Sequence, residues 1–168
     1  MTQAVFNKVR ISGISAVVPA KEICLTDEVE FYENDIKKVE RIRKMAGLYK
    51  RRVADRDVTA SDLSTQAAER LIKEMNIDVS AIDALIFVVQ NPDYFFPATA
   101  CVIHDDLKLK SNCVAFDINQ GCAGYTYGLW VASSLSEGGN CKKTTMRHAF
   151  LDAPHWTRNR QPCNGRSG

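Results

Sequence analysis

The stretch DALIFVVQ, residues 83–90, constrains this chain more than any other. Six consecutive apolar residues rich in β-branched types cannot make a half-exposed strand, which would alternate apolar and polar positions. Such a run fits a strand buried on both faces of a parallel sheet. A second run, SNCVAFDIN at 111–119, reads the same way. Between and around them lie segments with helical spacing. DIKKVERIRKMAG at 35–47 ends on Gly47, a natural C-cap. TASDLSTQAAERLIKEMNID at 59–78 has Thr59 or Ser61 as its cap and apolar residues at Leu63, Ala67, Leu71 and Met75. ATACVIHDDLKL at 98–109 is expected to be a helix, and AGYTYGLWVASSLSEGG at 123–139 another, ending at Gly138 and Gly139. Upstream, KVRISGISAVVP at 8–19 reads as a strand stopped by Pro19, and LTDEVEFY at 25–32 as a helix capped by Thr26. Alternating strands and helices with fully apolar strands are the pattern of an α/β fold with a parallel sheet.

The 168 residues suit about one domain. At 45% hydrophobic, 25% charged and a net charge of +2, the composition is that of a soluble globular chain, and overall charge selects no partner. Residues 37–56 are locally basic, which fits either a solvated helix face or a surface for acidic or phosphate-bearing ligands. Without aromatic interleaving or a recognised motif, nucleic acid is not an expected partner. The first twenty residues resemble a signal peptide only loosely, since Ser12, Gly13, Ser15 and Pro19 interrupt the apolar run. No stretch approaches a membrane-spanning length, so no membrane association is expected and the location expected is cytoplasmic, with reduced thiols. The six cysteines form no C-x-x-C pair, so neither a zinc site nor any other metal site is expected, and most of them read as small buried hydrophobes. No glycine-rich nucleotide loop is present, and no cofactor is expected.

Cys122 is the exception among the cysteines. It falls on a turn between the strand VAFDIN and the helix that follows, with Gly121 before it and Gly124 after. That places its side chain at the carboxyl end of a parallel strand, where open α/β sheets hold ligands. It is also at a helix N-terminus, where unpaired N–H groups and the dipole favour a thiolate. A nucleophile that forms thioesters is the functional reading, and a packed core cysteine is the alternative.

Several motifs point to a family. FPATA at 96–100, AFD at 115–117 and CAGYTYGL at 122–129, with GLYKRRVAD at 47–55 and DLSTQAAERLI at 62–72, resemble the N-terminal half of β-ketoacyl-acyl-carrier-protein synthase III, of the thiolase superfamily. The similarity runs from about residue 8 to Lys143. It implies the N-terminal half of a fold of five αβαβα layers. It implies an acyltransferase of fatty acid or related acyl-chain synthesis, in which an acyl-CoA loads Cys122 and malonyl-acyl carrier protein then condenses with the thioester. It also implies acyl-CoA and acyl carrier protein as partners, and a homodimer. Substrate contacts carried over are Arg41, which stands where the family has a Trp against the CoA adenine, Arg51 at a basic position, and Phe96 reaching the neighbouring subunit's acyl pocket. The replacement of Trp by Arg41 leaves open another acyltransferase of the superfamily, acting in secondary metabolism or polysaccharide modification. The family's catalytic His and Asn lie in its other half, so a fragment inactive in condensation is expected, or else a non-catalytic half that binds the carrier or dimerises. His104, His148 and His155 are given no catalytic role.

Residues 1–141 are thus expected to be the thiolase-like unit. Residues 142–168 carry no apolar period, and no strand is expected to return to the sheet there. They read as a disordered natural tail or as an out-of-frame or vector-derived end.

Overall fold

The computed structural model describes residues 3–139, Cys141 and the backbone of 144–148. They form two units, one made of 3–17 with 59–148 and the other of 18–58.

In the larger unit, α1 (Ala60–Glu74) begins at a capping box. The Thr59 hydroxyl accepts from the Asp62 N–H, and the Asp62 carboxylate accepts from the Thr59 N–H. The two orphan donors at this helix start are thereby satisfied in pairs. Its buried face is Ala60, Ser61, Ser64, Ala67 and Ala68, a stripe of small residues, while Met75 lies just past the end and is exposed. The core stripe expected to run on to Met75 therefore stops short of it.

Strand β1 (Ala84–Val88) is buried at all five positions. The reason is visible on its two faces. Leu85, Phe87 and Val89 pack with Ala60 and Ala68 of α1 and with Ala100 and Ile103 of α2 (Thr99–Asp106). On the opposite face, Val88 meets Gly124 at the start of α3 (Gly124–Glu137). Burying Phe87 alone, which has no exposed surface, contributes about 2–3 kcal/mol. Strand β2 (Val114–Ile118) runs parallel to β1, pairing Ala84 with Val114 through Val88 with Ile118. It was expected to be fully buried but is only half-buried, with Val114 exposed, because it lies at the edge of the described sheet.

A third strand, β3 (Thr144–His148), pairs parallel with β1 on its other side, Ala84 opposite Thr144 and Val88 opposite His148. The order is β2-β1-β3. The expectation that no strand follows α3 is corrected at these five positions: polar residues such as Thr144 and Thr145 hide the strand from a search for apolar runs. The rest of 142–168 lies outside the described residues.

In the smaller unit, β4 (Lys21–Cys24) and β5 (Lys50–Val53) form an antiparallel pair, Lys21 opposite Val53 and Cys24 opposite Lys50. Residues 25–32 are a 3-10 helix (Leu25–Tyr32) whose cap is Cys24, not Thr26, and no side chain bonds its first turn. Helix α4 (Ile36–Ala46) follows. The Asp35 carboxylate caps it by accepting from the N–H groups of Lys37 and Lys38, at 2.9 and 3.3 Å. Gly47 ends it at φ +65°, a conformation that only glycine adopts freely. The strand expected over 8–19 is not formed. Exposure alternates from Gly13 to Pro19, but no described strand pairs with this segment.

Candidate active site

Cys122 lies in a one-turn 3-10 segment, Gly121–Ala123, between the end of β2 and the start of α3. It is exposed. Gly121 has φ +52°, so the chain leaves the strand through a left-handed residue and turns the cysteine outward. The Ala123 N–H donates to the Gln120 carbonyl at 3.2 Å, which closes the turn. No side chain caps α3, so its positive end is directed at the turn that carries Cys122.

Gly124 and Gly128 are the two buried residues of α3. A Cβ built on Gly124 would stand 2.6 Å from Val88 Cγ1. Glycine lets the helix start almost touch the central strand, and that close approach sets where Cys122 emerges.

Cys101 is also exposed, Cys24 is half-buried, and Cys113 and Cys141 are buried. The expectation that most cysteines are buried thus holds for two of the five described; Cys163 lies outside the described residues. Burial pushes the Cys113 thiol above its ordinary range, with the nearby Lys110 opposing. His104 is half-buried, its Nε2 3.0 Å from the Lys110 carbonyl oxygen. His148 is described by its backbone alone, and His155 lies outside the described residues. Among the described residues no group of three or more His, Cys, Asp or Glu side chains is placed to hold a metal ion.

Phe96 lies on the loop before α2, preceded by Tyr94 and Phe95, and its bond to Pro97 is cis. It is 91% exposed, so no described residue of this chain covers it. The loop is pinned at both ends. The Asp93 N–H donates to Thr99 Oγ1 at 3.2 Å, and the Asp93 carboxylate accepts from both the N–H and the hydroxyl of Ser61. Thr99, fully buried, and Ala100 donate their N–H groups to the two oxygens of Asp117, at 2.8 and 2.7 Å. Asp117 belongs to β2, five residues ahead of Cys122. The AFD and FPATA motifs are therefore one piece of chemistry: the acid of the first caps the helix that the second begins. Sequence reasoning quoted both motifs but assigned no role to Asp117, Thr99 or Asp93. The available signal was that α2 starts at Ala98-Thr99 with no local capping side chain.

Arg41 and Arg51 belong to the smaller unit. Arg41 is exposed on α4, beside an open groove lined by Ile36, Lys37, Glu40, Lys44 and Met45. Arg51 is different. Its side chain is 7% exposed and forms a two-pronged ion pair with Glu28, with Nε 2.9 Å from Oε2 and a second N–H on Oε1. Much of its hydrogen-bonding capacity is already committed inside the fold.

No family model matches this chain. Among solved structures, a 3-oxoacyl-(acyl-carrier protein) synthase from Burkholderia xenovorans LB400 is 38% identical with a TM-score of 0.73, covering 79% of this chain and 38% of that one. A Cys-to-Ser variant of Xanthomonas campestris OleA with bound lauric acid and lauroyl-CoA is 25% identical with a TM-score of 0.77, covering 86% and 44%. The fold is that of the thiolase-like condensing enzymes. Among curated proteins, a Campylobacter jejuni protein bearing the name 3-oxoacyl-[acyl-carrier-protein] synthase 3 is 49% identical over 135 residues, 80% of this chain. The chain belongs to the 3-oxoacyl-acyl-carrier-protein synthase III family, and it spans 38% of that relative's length.

Proposed function

We propose that this chain supplies the acyl-loading half of a decarboxylating condensation in fatty acid or related acyl-chain synthesis. The observation that carries the reading is Cys122, exposed on a tight turn at the uncapped positive end of α3. Its Sγ attacks the carbonyl of an acyl-CoA, the bond from that carbon to the CoA sulfur breaks, and the acyl group stays on Cys122 as a thioester. The backbone N–H of Cys122 itself is the donor for the tetrahedral oxyanion, since those of Ala123 and Gly124 already bond within the turn. Malonyl-acyl carrier protein then loses carbon dioxide and its carbanion attacks the thioester, releasing Cys122.

Arg41 contacts the CoA, with Lys37 and Lys44 adding positive charge along the same helix. Arg51, paired with Glu28, reaches a phosphate only as a partly neutralised group, and it chiefly holds β5 to the 3-10 helix. Phe96, bare in the single chain, fits a role against a second copy in a homodimer. No described helix is long and apolar enough to cross a membrane. A second reading is favoured by the likeness to an OleA variant solved with bound lauric acid and lauroyl-CoA: another acyltransferase of the superfamily, taking a long-chain acyl-CoA.

The test is transfer of radiolabelled acyl groups from acyl-CoA to the 168-residue chain, with peptide mapping of the label, run beside carbon dioxide release from malonyl-acyl carrier protein. Label on Cys122 without carbon dioxide release is expected. Label on Cys101 in preference to Cys122, or none in folded protein, refutes the reading of the site. Condensation at an appreciable rate would overturn the half-reaction assignment.

A further inference from the structure

We infer that Asp117 is a positioning residue, whose carboxylate couples the nucleophile turn to the aromatic loop so that the two keep one fixed geometry. The inference rests on Cys122 being the acyl acceptor.

Helix α2 begins with no cap of its own. Its two leading N–H groups are instead satisfied from another element, one by each oxygen of Asp117. A charged acceptor at a helix start is stabilised by both hydrogen bonds and dipole. Asp117 stands on the α2 face of β2, since Ala115, two residues earlier, packs in the same cluster as Ala100 and Ile103. One step further, Thr99 Oγ1 receives the Asp93 N–H, and Asp93 receives Ser61 at the start of α1. A continuous polar chain thus runs from α1 through the loop ends to the strand that delivers Cys122. Its members Ser61 and Thr99 are buried, so water does not compete for these bonds. The loop between Asp93 and Thr99 holds Tyr94, Phe95 and Phe96, all exposed apolar surface of the kind an acyl chain would meet. Among the described residues, Asp117 is the one side chain bonded to α2 that also lies on the strand leading to Cys122.

The experiment compares full-length wild type with Asp117→Asn, Thr99→Val and Thr99→Ser. Two rates are measured for each folded protein: acyl transfer from a long-chain acyl-CoA, and alkylation of Cys122 by iodoacetamide, a small probe that needs no loop. Asp117→Asn and Thr99→Val should each slow acyl transfer about 10- to 100-fold, the effect of an ångström-scale misplacement. Iodoacetamide alkylation should change by less than about twofold. Thr99→Ser, which keeps the hydroxyl, should restore transfer to near wild type. Equal transfer rates in wild type, Asp117→Asn and Thr99→Val overturn the inference, as does an equal fall in both rates, which is the mark of a merely structural loss. If Asp117→Asn does not fold, Asp117→Glu, which keeps the charge but displaces the carboxylate from the two N–H groups, is measured in its place and judged by the same two rates. Absence of acyl transfer in wild type would instead refute the reading of Cys122, a separate outcome.

Discussion

Gly124→Ala is a one-carbon change two residues from the nucleophile. The new Cβ would sit 2.6 Å from Val88 Cγ1, whereas carbons at rest are about 3.5–4.0 Å apart. Something must move by about 1 Å. Val88 is 1% exposed and lies in the central strand, between two others, so it yields little. The start of α3 is the part able to shift, and Cys122 shifts with it. Overpacking of this kind costs about 1–3 kcal/mol. Alanine recovers up to about 1 kcal/mol through its better helix propensity, and Gly124 has φ −54°, so no backbone strain is added. The expected net loss is up to about 2 kcal/mol in urea denaturation, with acyl transfer to Cys122 slowed about tenfold or more. Val88→Ala removes the methyl that clashes. Alone it costs about 2 kcal/mol or somewhat more, two methyl groups plus a cavity. In that background, Gly124→Ala should cost nothing further and should recover part of the lost transfer rate, a coupling visible in a double-mutant cycle. If Gly124→Ala raises stability in the wild-type background and leaves transfer intact, the close approach of helix and strand does not govern the nucleophile, and the reasoning fails.

Glu28→Ala should cost about 3–5 kcal/mol by denaturant titration, because it leaves the buried Arg51 guanidinium without its carboxylate, and Glu28→Ala with Arg51→Met together should recover much of that; a loss below about 1 kcal/mol would show that the pair is hydrated. Burial raises the Cys113 thiol, so as pH rises the unfolded chain releases this proton first. The stability from the neutral thiol is therefore complete below the ordinary value of 9.0 and is lost as pH climbs through the higher folded value, and Cys113→Ala should flatten that alkaline decline; an unchanged slope would refute the assignment. Light scattering should show a dimer, as the exposed Phe95, Phe96, Val114 and Trp130 suggest, and a monodisperse monomer would count against the pairing.

The elements legible in the sequence are those whose cause is local. β1 announces itself because both faces are covered and every side chain is apolar; α1 and α4 carry caps at Thr59, Asp35 and Gly47 that act within a few residues. The turn at Cys122 was legible from its glycines. What stayed hidden depends on partners distant in the chain. β4 and β5 are lysine- and arginine-rich and exist because Lys21 finds Val53 across 32 positions of sequence. β3 is polar at Thr144 and Thr145 and is a strand because β1 pairs with it. The segment 8–19 has the right alternation but no partner among the described residues, so its pattern produces no strand. Asp117 was missed for the same reason: its carboxylate looks like that of an ordinary strand acid until the N–H groups of α2 are placed beside it.

The loop between Asp93 and Thr99 acts as a ruler. Both ends are nailed to buried polar groups, so the number of residues between them is set by the span while their identities are not. Substitutions at Tyr94, Phe95 or Phe96 touch only exposed surface and leave both anchors in place. A chain built this way can exchange the side chains of its exposed aromatic rim one at a time without disturbing the bonds that fix the loop.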